Sequence, residues 1–510
     1  RPTVYLVGAG PGDPGLITVK AKKLIKTADV IVYDYLSNPI FINECEQTCK
    51  LINAGKRLGF KAMTQAQINN KLVSLAKSGF KIIVRLKGGD PLLFGRGGEE
   101  AEYLKKNKIK FEIVPGVTSA IAVPAYAGIP ITHRDNTSSL SIVTGHEDPY
   151  KNESSIDWSS LSKSKSIIFL MGTKNLRKNI NKLTLNGMSI KTPIAAIQWG
   201  TYYKQKTVLG NLKNISSKIK ENNIKSPSII VIGDVCKYRK NLIWFEKKPL
   251  FGKKIVVTRA RKNSSSLVEK IYENGGEAVE IPTIDIKTIK TKKNNNILEK
   301  SDQFDWLVFT SVNGVEEFFK QYLELKKDLR YLGNASIAAI GSETARSIVR
   351  KGLKVDLIPK KFVAESLIQE FKKRKIKNKK ILIPRASNAR KILIEGLSKL
   401  NNDVKELCIY KSVLPNKKIQ DQIKEKIIGN DVFGVTFTSS STVENFFKFL
   451  NPKEVKKEKD IKYFCIGPIT AKTLQTYGIK PFKVASKFTI DNLLDAVSYT
   501  HLTLPTNREV

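Results

Sequence analysis

A glycine-rich turn that directly follows an apolar strand is the sequence feature that most constrains this chain. The run VRLKGGDPLLFGRGGEE spans Val84–Glu100, and the apolar residues before Gly88 predict a buried strand. A second turn, GAGPGD at Gly8–Asp13, follows a strand predicted over Thr3–Val7. Glycines at such positions let a ligand approach the backbone closely. Two such turns at two strand ends indicate one small-molecule site at the edge of a parallel sheet.

The first part of the chain, up to about Phe245, alternates strand-like apolar runs with helix-like amphipathic ones. The helix-like runs include Ile17–Ala28 and Gln65–Ala76. Such alternation predicts an α/β fold. We predict strands at Thr3–Val7, Val30–Tyr33, Lys81–Leu86, Ile167–Leu170, Ile194–Gln198 and Ser228–Ile232.

The second part contains an internal repeat. Three motifs recur at an offset of 126 to 128 residues, which predicts two similar α/β lobes with a cleft between them. The matched pairs are VVTRA (Val256–Ala260) with LIPRA (Leu382–Ala386), FTSVNGV (Phe309–Val315) with FTSSSTV (Phe437–Val443), and IGSETA (Ile340–Ala345) with IGPITA (Ile466–Ala471).

Length and composition bound the class of protein. A chain of 510 residues is expected to hold two to four domains. We find no apolar run of about eighteen residues and no charged-then-apolar leader, so we expect neither a membrane span nor a secretion signal. The five cysteines are odd in number and mostly far apart, which favours a reducing, cytoplasmic location. Cys45 and Cys49 lack a second pair of ligands, so we predict no metal site.

The net charge of +41 has three explanations: a nucleic-acid partner, a polyanionic small substrate, or biased composition. The most basic stretches, Lys287–Lys300 and Lys372–Lys380, lack interleaved aromatic residues. Proteins that bind single-stranded nucleic acid combine basic residues with aromatic residues on which the bases stack, so we expect no nucleic-acid partner.

The turn GAGPGD is close to a dinucleotide fingerprint, and Asp34 ends the next predicted strand, where a ribose-binding acid would lie. Its glycines give GxGxG rather than GxGxxG. The residues alone therefore indicate an adenosine-type cofactor or a phosphate.

The first part resembles uroporphyrinogen-III C-methyltransferases, which are class III S-adenosylmethionine (SAM) enzymes with a two-lobed fold. The match runs nearly unbroken from Val4 to Phe245. It rests on GAGPGDPGLIT (Gly8–Thr18), VYD (Val32–Asp34), AGKRLG (Ala54–Gly59), QAQIN (Gln65–Asn69), the Val84–Glu100 run, VPGVTSA (Val114–Ala120), PAYAGIPITHR (Pro124–Arg134), TGH (Thr144–His146), LMG (Leu170–Gly172) and QWGT (Gln198–Thr201).

This resemblance implies transfer of two methyl groups from SAM to C2 and C7 of uroporphyrinogen III, giving precorrin-2, a precursor of sirohaem and cobalamin. It makes Asp34 the proton acceptor and Lys56 the proton donor. The alternatives are that Asp34 caps the next element and that Lys56 is a solvated charge. The resemblance also implies a homodimer formed through this domain.

The resemblance assigns SAM to nine positions and leaves three arginines as clamps for the eight substrate carboxylates. Structural ion pairs are the alternative for the arginines, and a core position is the alternative for Met171. The SAM positions are Pro11, Gly88, Gly89, Asp90, Leu93, Thr118, Ser119, Met171 and Gly200, and the arginines are Arg85, Arg96 and Arg134.

The second part resembles uroporphyrinogen-III synthases across roughly 252–497. The match rests on the paired FTS and IG motifs, IPRA (Ile383–Ala386), Tyr410 and FTIDNLLDA (Phe488–Ala496). This family closes hydroxymethylbilane into a ring with inversion of ring D, and it uses no cofactor. The resemblance also implies that the chain crosses twice between the lobes.

Tyr410 is the best candidate in this part for assisting departure of the substrate hydroxyl; the alternative is a core aromatic residue. The hydroxyl groups at the starts of predicted helices would hold carboxylates, or would simply cap those helices. These residues are Ser311, Ser439, Ser440 and Thr470.

We therefore expect a bifunctional enzyme, with a methyltransferase at 1–246, a linker at 247–252 and a synthase at 253–497. The synthase lobes would be 253–286 plus 415–497, and 287–414. The tail at 498–510 loses lysine and periodicity, so we expect it to be disordered or foreign. The alternatives are a class III methyltransferase acting on a later corrin, and a basic nucleic-acid-binding protein.

Overall fold

The fold was analysed in a computed structural model. It describes residues 2–42, 44–46, 48–55, 62–145, 154–258, 261–281, 283, 285–325, 328–387, 389, 391–413, 427, 431–457 and 460–498. The described residues form four five-stranded sheets.

The first sheet is wholly parallel, with its strands in the order β3-β2-β4-β1-β5. Its centre is apolar because β1, β2 and β4 are covered on both faces, as expected for a parallel sheet. The strands are β1 (Thr3–Gly8), β2 (Val30–Tyr33), β3 (Lys50–Asn53), β4 (Ile82–Lys87) and β5 (Lys110–Val114), and the helices are α1 (Val19–Thr27), α2 (Pro39–Ile42), α3 (Gln65–Lys77), α4 (Gly97–Lys106) and α5 (Ser119–Tyr126).

The second sheet is mixed, in the order β6-β7-β10-β8-β9, with only the first pair of strands parallel. Helix α5 of the first lobe packs against this sheet through Val123, so the two lobes share an apolar core. The strands are β6 (Ser141–Thr144), β7 (Ile167–Leu170), β8 (Pro193–Gln198), β9 (Lys206–Asn211) and β10 (Ser228–Ile232), and the helices are α6 (Trp158–Ser162), α7 (Leu176–Leu185), α8 (Ile215–Glu221) and α9 (Arg239–Leu242).

The third sheet is parallel, in the order β12-β11-β18-β19-β20, and it joins strands from both ends of the second part. The strands are β11 (Lys254–Val257), β12 (Glu277–Glu280), β18 (Gly434–Phe437), β19 (Lys462–Cys465) and β20 (Lys483–Val484), and the helices are α10 (Arg261–Glu273), α16 (Ser440–Phe449), α17 (Pro452–Lys457), α18 (Pro468–Thr476) and α19 (Ile490–Ser498).

The fourth sheet has the order β13-β17-β16-β14-β15 and is parallel except for its edge strand β13. The strands are β13 (Asp285–Thr288), β14 (Trp306–Phe309), β15 (Ser336–Ala339), β16 (Lys380–Ala386) and β17 (Asp403–Val413), and the helices are α11 (Lys292–Glu299), α12 (Val312–Glu324), α13 (Ser342–Val349), α14 (Ala364–Lys373) and α15 (Ile392–Ser398). Short 3₁₀ turns lie at Pro14–Leu16, Asp234–Tyr238, Phe245–Lys247, Ser301–Gln303 and Leu329–Leu332.

The interleaved lobes expected for the second part are confirmed. The chain leaves the third sheet after β12, builds the fourth sheet and returns at β18. The first copy of the repeat places β11 in the third sheet and β14 in the fourth, whereas the second copy places β16 in the fourth and β18 in the third. Each lobe therefore combines strands from both copies, and the orders β12-β11-β18-β19 and β17-β16-β14-β15 correspond strand for strand.

The six predicted strands of the first part are confirmed, with boundaries within one residue. The sequence did not predict β3, β5, β6 or β9. Of the predicted tail, only Ser498, which ends α19, lies inside the described residues. None of the helices in the described ranges has the length and apolarity needed to cross a bilayer.

Candidate active sites

The two glycine-rich turns of the first part meet at one edge of the first sheet. Strands β1 and β4 are neighbours, so their carboxyl ends lie side by side. The Gly89 amide donates to the Gly10 carbonyl oxygen over 2.7 Å, and the Gly10 amide donates to the Gly89 carbonyl oxygen over 3.2 Å. The predicted juxtaposition of the two turns is confirmed.

A cleft of about 580 Å³ opens beside these turns, between the two sheets of the first part. Its volume lies within the range typical of small-molecule sites. Predicted cofactor positions that line it are Pro11, Gly88, Gly89, Ser119, Met171 and Gly200.

Close backbone contacts explain several of the glycines around the cleft. A Cβ atom on Gly116 would lie 2.3 Å from the Gly89 carbonyl oxygen and 2.7 Å from the Cα of Gly8. A Cβ atom on Gly200 would lie 2.3 Å from the Val123 side chain. Larger residues would push these turns apart, so the glycines set the shape of the cleft.

Asp90 holds the second turn together. Its Oδ1 accepts hydrogen bonds from the Leu92 amide (2.8 Å) and the Leu93 amide (3.1 Å), and its Oδ2 accepts from the Gly116 amide (3.0 Å). Asp90 therefore connects the β4 turn with the segment after β5. Leu93 packs against the apolar core that the two lobes share.

Thr118 is the N-cap of α5, and its Oγ1 accepts from the Ala120 amide over 3.2 Å. Ser119 follows at the cleft wall. Met171 has a left-handed backbone with φ of 56° and is 51% exposed, so it is not a core residue. It lies at the end of β7, where its side chain borders the cleft.

Asp34 directly follows β2 and pairs with a buried arginine. The Arg85 Nη2 lies 2.7 Å from Asp34 Oδ1, and the Arg85 Nε lies 3.2 Å from Glu100 Oε1. Lys87 Nζ and Gln65 Nε2 also donate to Glu100 Oε1, over 2.8 and 3.1 Å. Burial, followed by the nearby Arg85, lowers the pKa of Lys87. Because Arg85 is 1% exposed, its guanidinium serves this internal network.

Among the residues that the structure describes, Arg96 and Arg134, the other arginines predicted to bind substrate, have no ion pair with this network. Arg96 is exposed and pairs with Glu99, its Nη2 lying 2.7 Å from Oε2. Arg134 is exposed. Lys56 falls outside the described residues.

In the second part, the Tyr410 hydroxyl lies 2.9 Å from Ser311 Oγ. Tyr410 is on β17, and Ser311 is the N-cap of α12, where its Oγ also accepts from the Gly314 amide over 3.0 Å. Burial raises the pKa of Tyr410, so its hydroxyl stays protonated at neutral pH. The pair thus joins a protonated phenol to the start of a thirteen-residue helix.

The matching position in the other lobe is Ser439, the N-cap of α16, whose Oγ accepts from the Thr442 amide over 3.3 Å. Ser440 Oγ accepts from the Thr473 hydroxyl over 2.8 Å, which connects α16 with α18. Thr470 is buried in the first turn of α18. The capping role expected for Ser311 and Ser439 is present in the structure.

Sequence reasoning missed several residues of the cleft and one pair of contacts in the second part. One pair could have been found from the repeat: KFVAESLI at Lys361–Ile368 matches KFTIDNLL at Lys487–Leu494 at the same offset of 126. In each lobe the phenylalanine of this motif lies over the glycine of the IG motif, Phe362 over Gly341 and Phe488 over Gly467. The missed side chains of the cleft are Tyr35, Leu36, Lys174, Trp199 and Tyr202.

Comparisons with known proteins match both parts of the chain. The family of tetrapyrrole (corrin/porphyrin) methylases matches residues 3–216. The family described as uroporphyrinogen-III synthase HemD matches residues 265–495. The two matches do not overlap, so the fold and sites define a methylase domain joined to a synthase domain.

One relative matches nearly the whole chain. The porphyrin biosynthesis protein HemD of Ruminiclostridium josui is 39% identical over 96% of this chain and 97% of its own length. The chain belongs to this family of tetrapyrrole methylases fused to uroporphyrinogen-III synthases.

Relatives of the first part alone are also similar. The S-adenosyl-L-methionine-dependent uroporphyrinogen III methyltransferase of Methanosarcina barkeri is 53% identical over 46% of this chain and 91% of its own length. A solved uroporphyrin-III C-methyl transferase from Thermus thermophilus, complexed with S-adenyl homocysteine, is 31% identical, with a TM-score of 0.40 over 46% of this chain and 99% of that one. The two family matches and the R. josui and M. barkeri relatives give no support to a nucleic-acid-binding protein or to methylation of a later corrin.

Proposed function

We propose that this chain makes uroporphyrinogen III and then methylates it. Residues 253–497 would close hydroxymethylbilane with inversion of ring D, and residues 1–246 would methylate C2 and C7 of the product to give precorrin-2. Membership of the fused family supports the two activities. The observation that carries the assignment is that the two glycine turns meet at one cleft, where six of the residues expected to bind SAM lie.

The cleft fits SAM as the methyl donor. Its bare backbone at Gly88 and Gly89 allows main-chain contacts with a flat nucleoside, and Ser119 adds a hydroxyl group. Met171 and Gly200 would both contact the donor from the second lobe, where Gly200 packs against the Val123 side chain. When bound, the sulfonium group of SAM supplies an electrophilic methyl group. The name of the M. barkeri relative, 53% identical, supports the same donor.

The residues of the first part would mainly align the reactants, because orientation alone can supply much of a reaction's acceleration. Asp34 would accept a proton from the macrocycle, and the Arg85 guanidinium 2.7 Å away fixes the carboxylate in position for this. The donor role of Lys56 is supported by the GKR motif alone. Arg96 and Arg134, both exposed, would hold substrate carboxylates.

The second part would act without a cofactor, through a hydroxyl group that stays protonated. Tyr410 would donate to the departing substrate hydroxyl, and Ser311 orients the phenol from 2.9 Å. Ser439 and Ser440 would hold carboxylates of the linear substrate at the matching helix start of the other lobe, whereas the burial of Thr470 restricts it to the packing of α18.

The direct test supplies the purified full chain with hydroxymethylbilane and SAM. Mass spectrometry should find a doubly methylated product, and omission of SAM should leave uroporphyrinogen III rather than the uninverted isomer I, as separated by chromatography after oxidation. Formation of isomer I alone would contradict the synthase assignment. A failure to methylate added uroporphyrinogen III, with methylation of a later corrin instead, would favour the alternative methyltransferase.

The assembly is a further part of the proposal. We expect a homodimer formed through residues 1–246, as the family resemblance implies. Light scattering of the full chain should give a mass near twice 57.1 kDa. A monomer across micromolar concentrations would contradict it.

A further inference from the structure

The synthase domain packs near the Gly8–Asp13 turn. Gly10 and Pro11 of this turn line the proposed SAM cleft, whereas Gly12 and Asp13 line a small cavity shared with the synthase domain. Gly12, Asp13 and Asn38 of the first part face Tyr272 and Glu277 of the second part across a cavity of only about 10 Å³. Such a volume is at the lower limit for one water molecule, so the two domains pack closely here.

The turn is held from this side by side-chain hydrogen bonds. Asn38 Nδ2 donates to the Gly12 carbonyl oxygen over 2.7 Å, and the Asn38 side chain is almost fully buried. The Asp13 amide donates to Thr201 Oγ1 over 3.1 Å. Gly12 itself has φ of 149°, and a Cβ atom there would lie 2.2 Å from the Tyr202 ring. The position of the turn is therefore set by the residues behind it.

Those residues are in turn held by the synthase domain. Tyr272 of α10 and the Asn38 side chain line the same small cavity, and the two side chains interact there. Ile40, two residues after Asn38, packs against the apolar cluster of the third sheet that contains Ile271 and Leu250. The segment around Asn38 thus rests on the other domain.

A second contact lies beside the first. The Gly252 amide donates to the Tyr203 carbonyl oxygen over 3.0 Å, and the Tyr203 side chain lines the small cavity together with Glu277 at the start of β12. Burial raises the pKa of Glu277, and Lys254 and Lys204 oppose this increase. Tyr203 directly follows Tyr202, whose ring lies against Gly12.

We propose that Tyr272 and Glu277 of the synthase domain are positioning residues for methylation, and that they fix the Gly8–Asp13 turn for SAM through Asn38 and Tyr203. This inference rests on the proposed use of SAM at the cleft. Fusion of the two domains would then do more than join two activities, because the synthase would complete the support of the methyltransferase's donor site. Neither residue needs to contact SAM for this role.

The test compares full-length Tyr272→Phe and Glu277→Gln with Tyr477→Phe. Tyr477 lies in the same lobe and stacks on Phe447, away from the interface, so it controls for loss of a tyrosine hydroxyl. Hydrogen exchange of the Asp13 amide, which donates to Thr201 Oγ1, measured without ligand, should be about fivefold faster in the two interface variants. The control should exchange like the wild type.

Calorimetry with S-adenosylhomocysteine provides the second measurement. The interface variants should bind it about fivefold more weakly, with the KM for SAM raised and kcat at saturating SAM unchanged. Synthase activity should be retained, which shows that the variants fold. Unchanged exchange and unchanged affinity in both variants would overturn the inference alone. Absence of binding to the wild type would instead overturn the proposed function.

Discussion

Arg85 lies between two carboxylates, one directly after β2 and one in the core: its Nη2 is 2.7 Å from Asp34 and its Nε is 3.2 Å from Glu100. The side chain of Asp34 is 29% exposed, whereas that of Glu100 is fully buried. The ion pair thus connects the proposed proton acceptor with an internal charge network. Loss of the Asp34 carboxylate and loss of the Glu100 carboxylate should therefore have different consequences.

Asp34→Asn should lower methylation about a hundredfold or more, because an amide cannot accept the proton. The variant should still bind S-adenosylhomocysteine and fold normally, because the amide can accept a hydrogen bond from Arg85. Steady-state methylation and calorimetry measure the two effects. Asp234→Asn, which removes an exposed carboxylate paired with Lys237, is the matched control and should keep full activity. Full activity of Asp34→Asn would favour the capping alternative.

Glu100→Ala should destabilise the first domain by about 3 kcal/mol, because it leaves the buried Arg85 and Lys87 without their shared acceptor. Urea unfolding measures the change in free energy. The neighbouring Glu99→Ala is the control, since its pair with Arg96 is more than half exposed and should change stability by less than about 1 kcal/mol. Equal effects of the two substitutions would show that the buried network contributes nothing.

Sequence patterns located the strand ends but could not pair their side chains. The VYD motif placed Asp34 at the end of a strand, and the Val84–Glu100 run placed Arg85 within another. That the two meet depends on β2 and β4 being neighbours, which is set by the order of the sheet. The order of the sheet also brings Asp90 within hydrogen-bond distance of Gly116, which lies 26 positions further along the chain. No local sequence pattern predicts this contact.

The strands that the sequence did not predict are mostly partly exposed ones at sheet edges. β3 and β9 end their sheets and have no fully buried residue, so they lack the apolar runs that marked the central strands.

The repeat predicted two lobes correctly. Its copies do not coincide with the lobes, however, because β11 and β16 each pair with strands of the other copy. Only the pairing of strands in the folded chain distinguishes lobes built from one copy of the repeat each from lobes that combine both copies.

Gly116→Ala should destabilise the first domain by about 2 kcal/mol and weaken S-adenosylhomocysteine binding. The added Cβ would lie 2.3 Å from the Gly89 carbonyl oxygen, so the two turns would have to separate. Gly98→Ala is the control, because nothing lies within 4 Å of the added atom and the residue is helical. It should leave binding unchanged and stability equal or higher. Thermal unfolding and calorimetry decide between these outcomes.

Tyr410→Phe should slow ring closure about a hundredfold while methylation of added uroporphyrinogen III stays normal, because only the hydroxyl that donates to the leaving group is lost. The ratio of isomers III and I, measured chromatographically, reports the effect. Tyr322→Phe removes a hydroxyl from the same apolar cluster and is the matched control. Normal closure by Tyr410→Phe would mean that this tyrosine is a core residue only.

Ser311→Ala tests the partner of that phenol. It should destabilise the chain by about 1 kcal/mol, because the N-cap of α12 is lost. It should also slow ring closure, because Ser311 orients the Tyr410 phenol. Ser439→Ala removes the equivalent cap in the other lobe and should have a similar effect on stability. Loss of stability without loss of synthase activity in Ser311→Ala would restrict this serine to capping.

The stability of the chain should depend on pH through Lys253. Its Nζ donates to the Pro249 carbonyl oxygen over 2.9 Å and lies 4.7 Å from the centre of the Phe433 ring, which Lys462 also approaches. Burial, followed by the charge of Lys462, lowers the pKa of Lys253 to about 8 from 10.5. Between these values the unfolded chain binds more protons than the folded one, so this group's contribution to stability rises with pH and is lost as the pH falls through 8.

Buried thiols such as Cys465, whose pKa burial raises to about 12, oppose that trend above pH 9, so the test compares variants rather than one profile. Lys253→Met should be more stable than the wild type at pH 7, and its advantage should shrink by about 1 kcal/mol or more by pH 10. Urea unfolding at each pH measures the difference. Lys480→Met, which changes an exposed lysine of the same lobe, should show an advantage that does not vary with pH. If the difference in the free energy of unfolding between Lys253→Met and the wild type did not change with pH, the pKa of Lys253 would be the same in the folded and the unfolded chain.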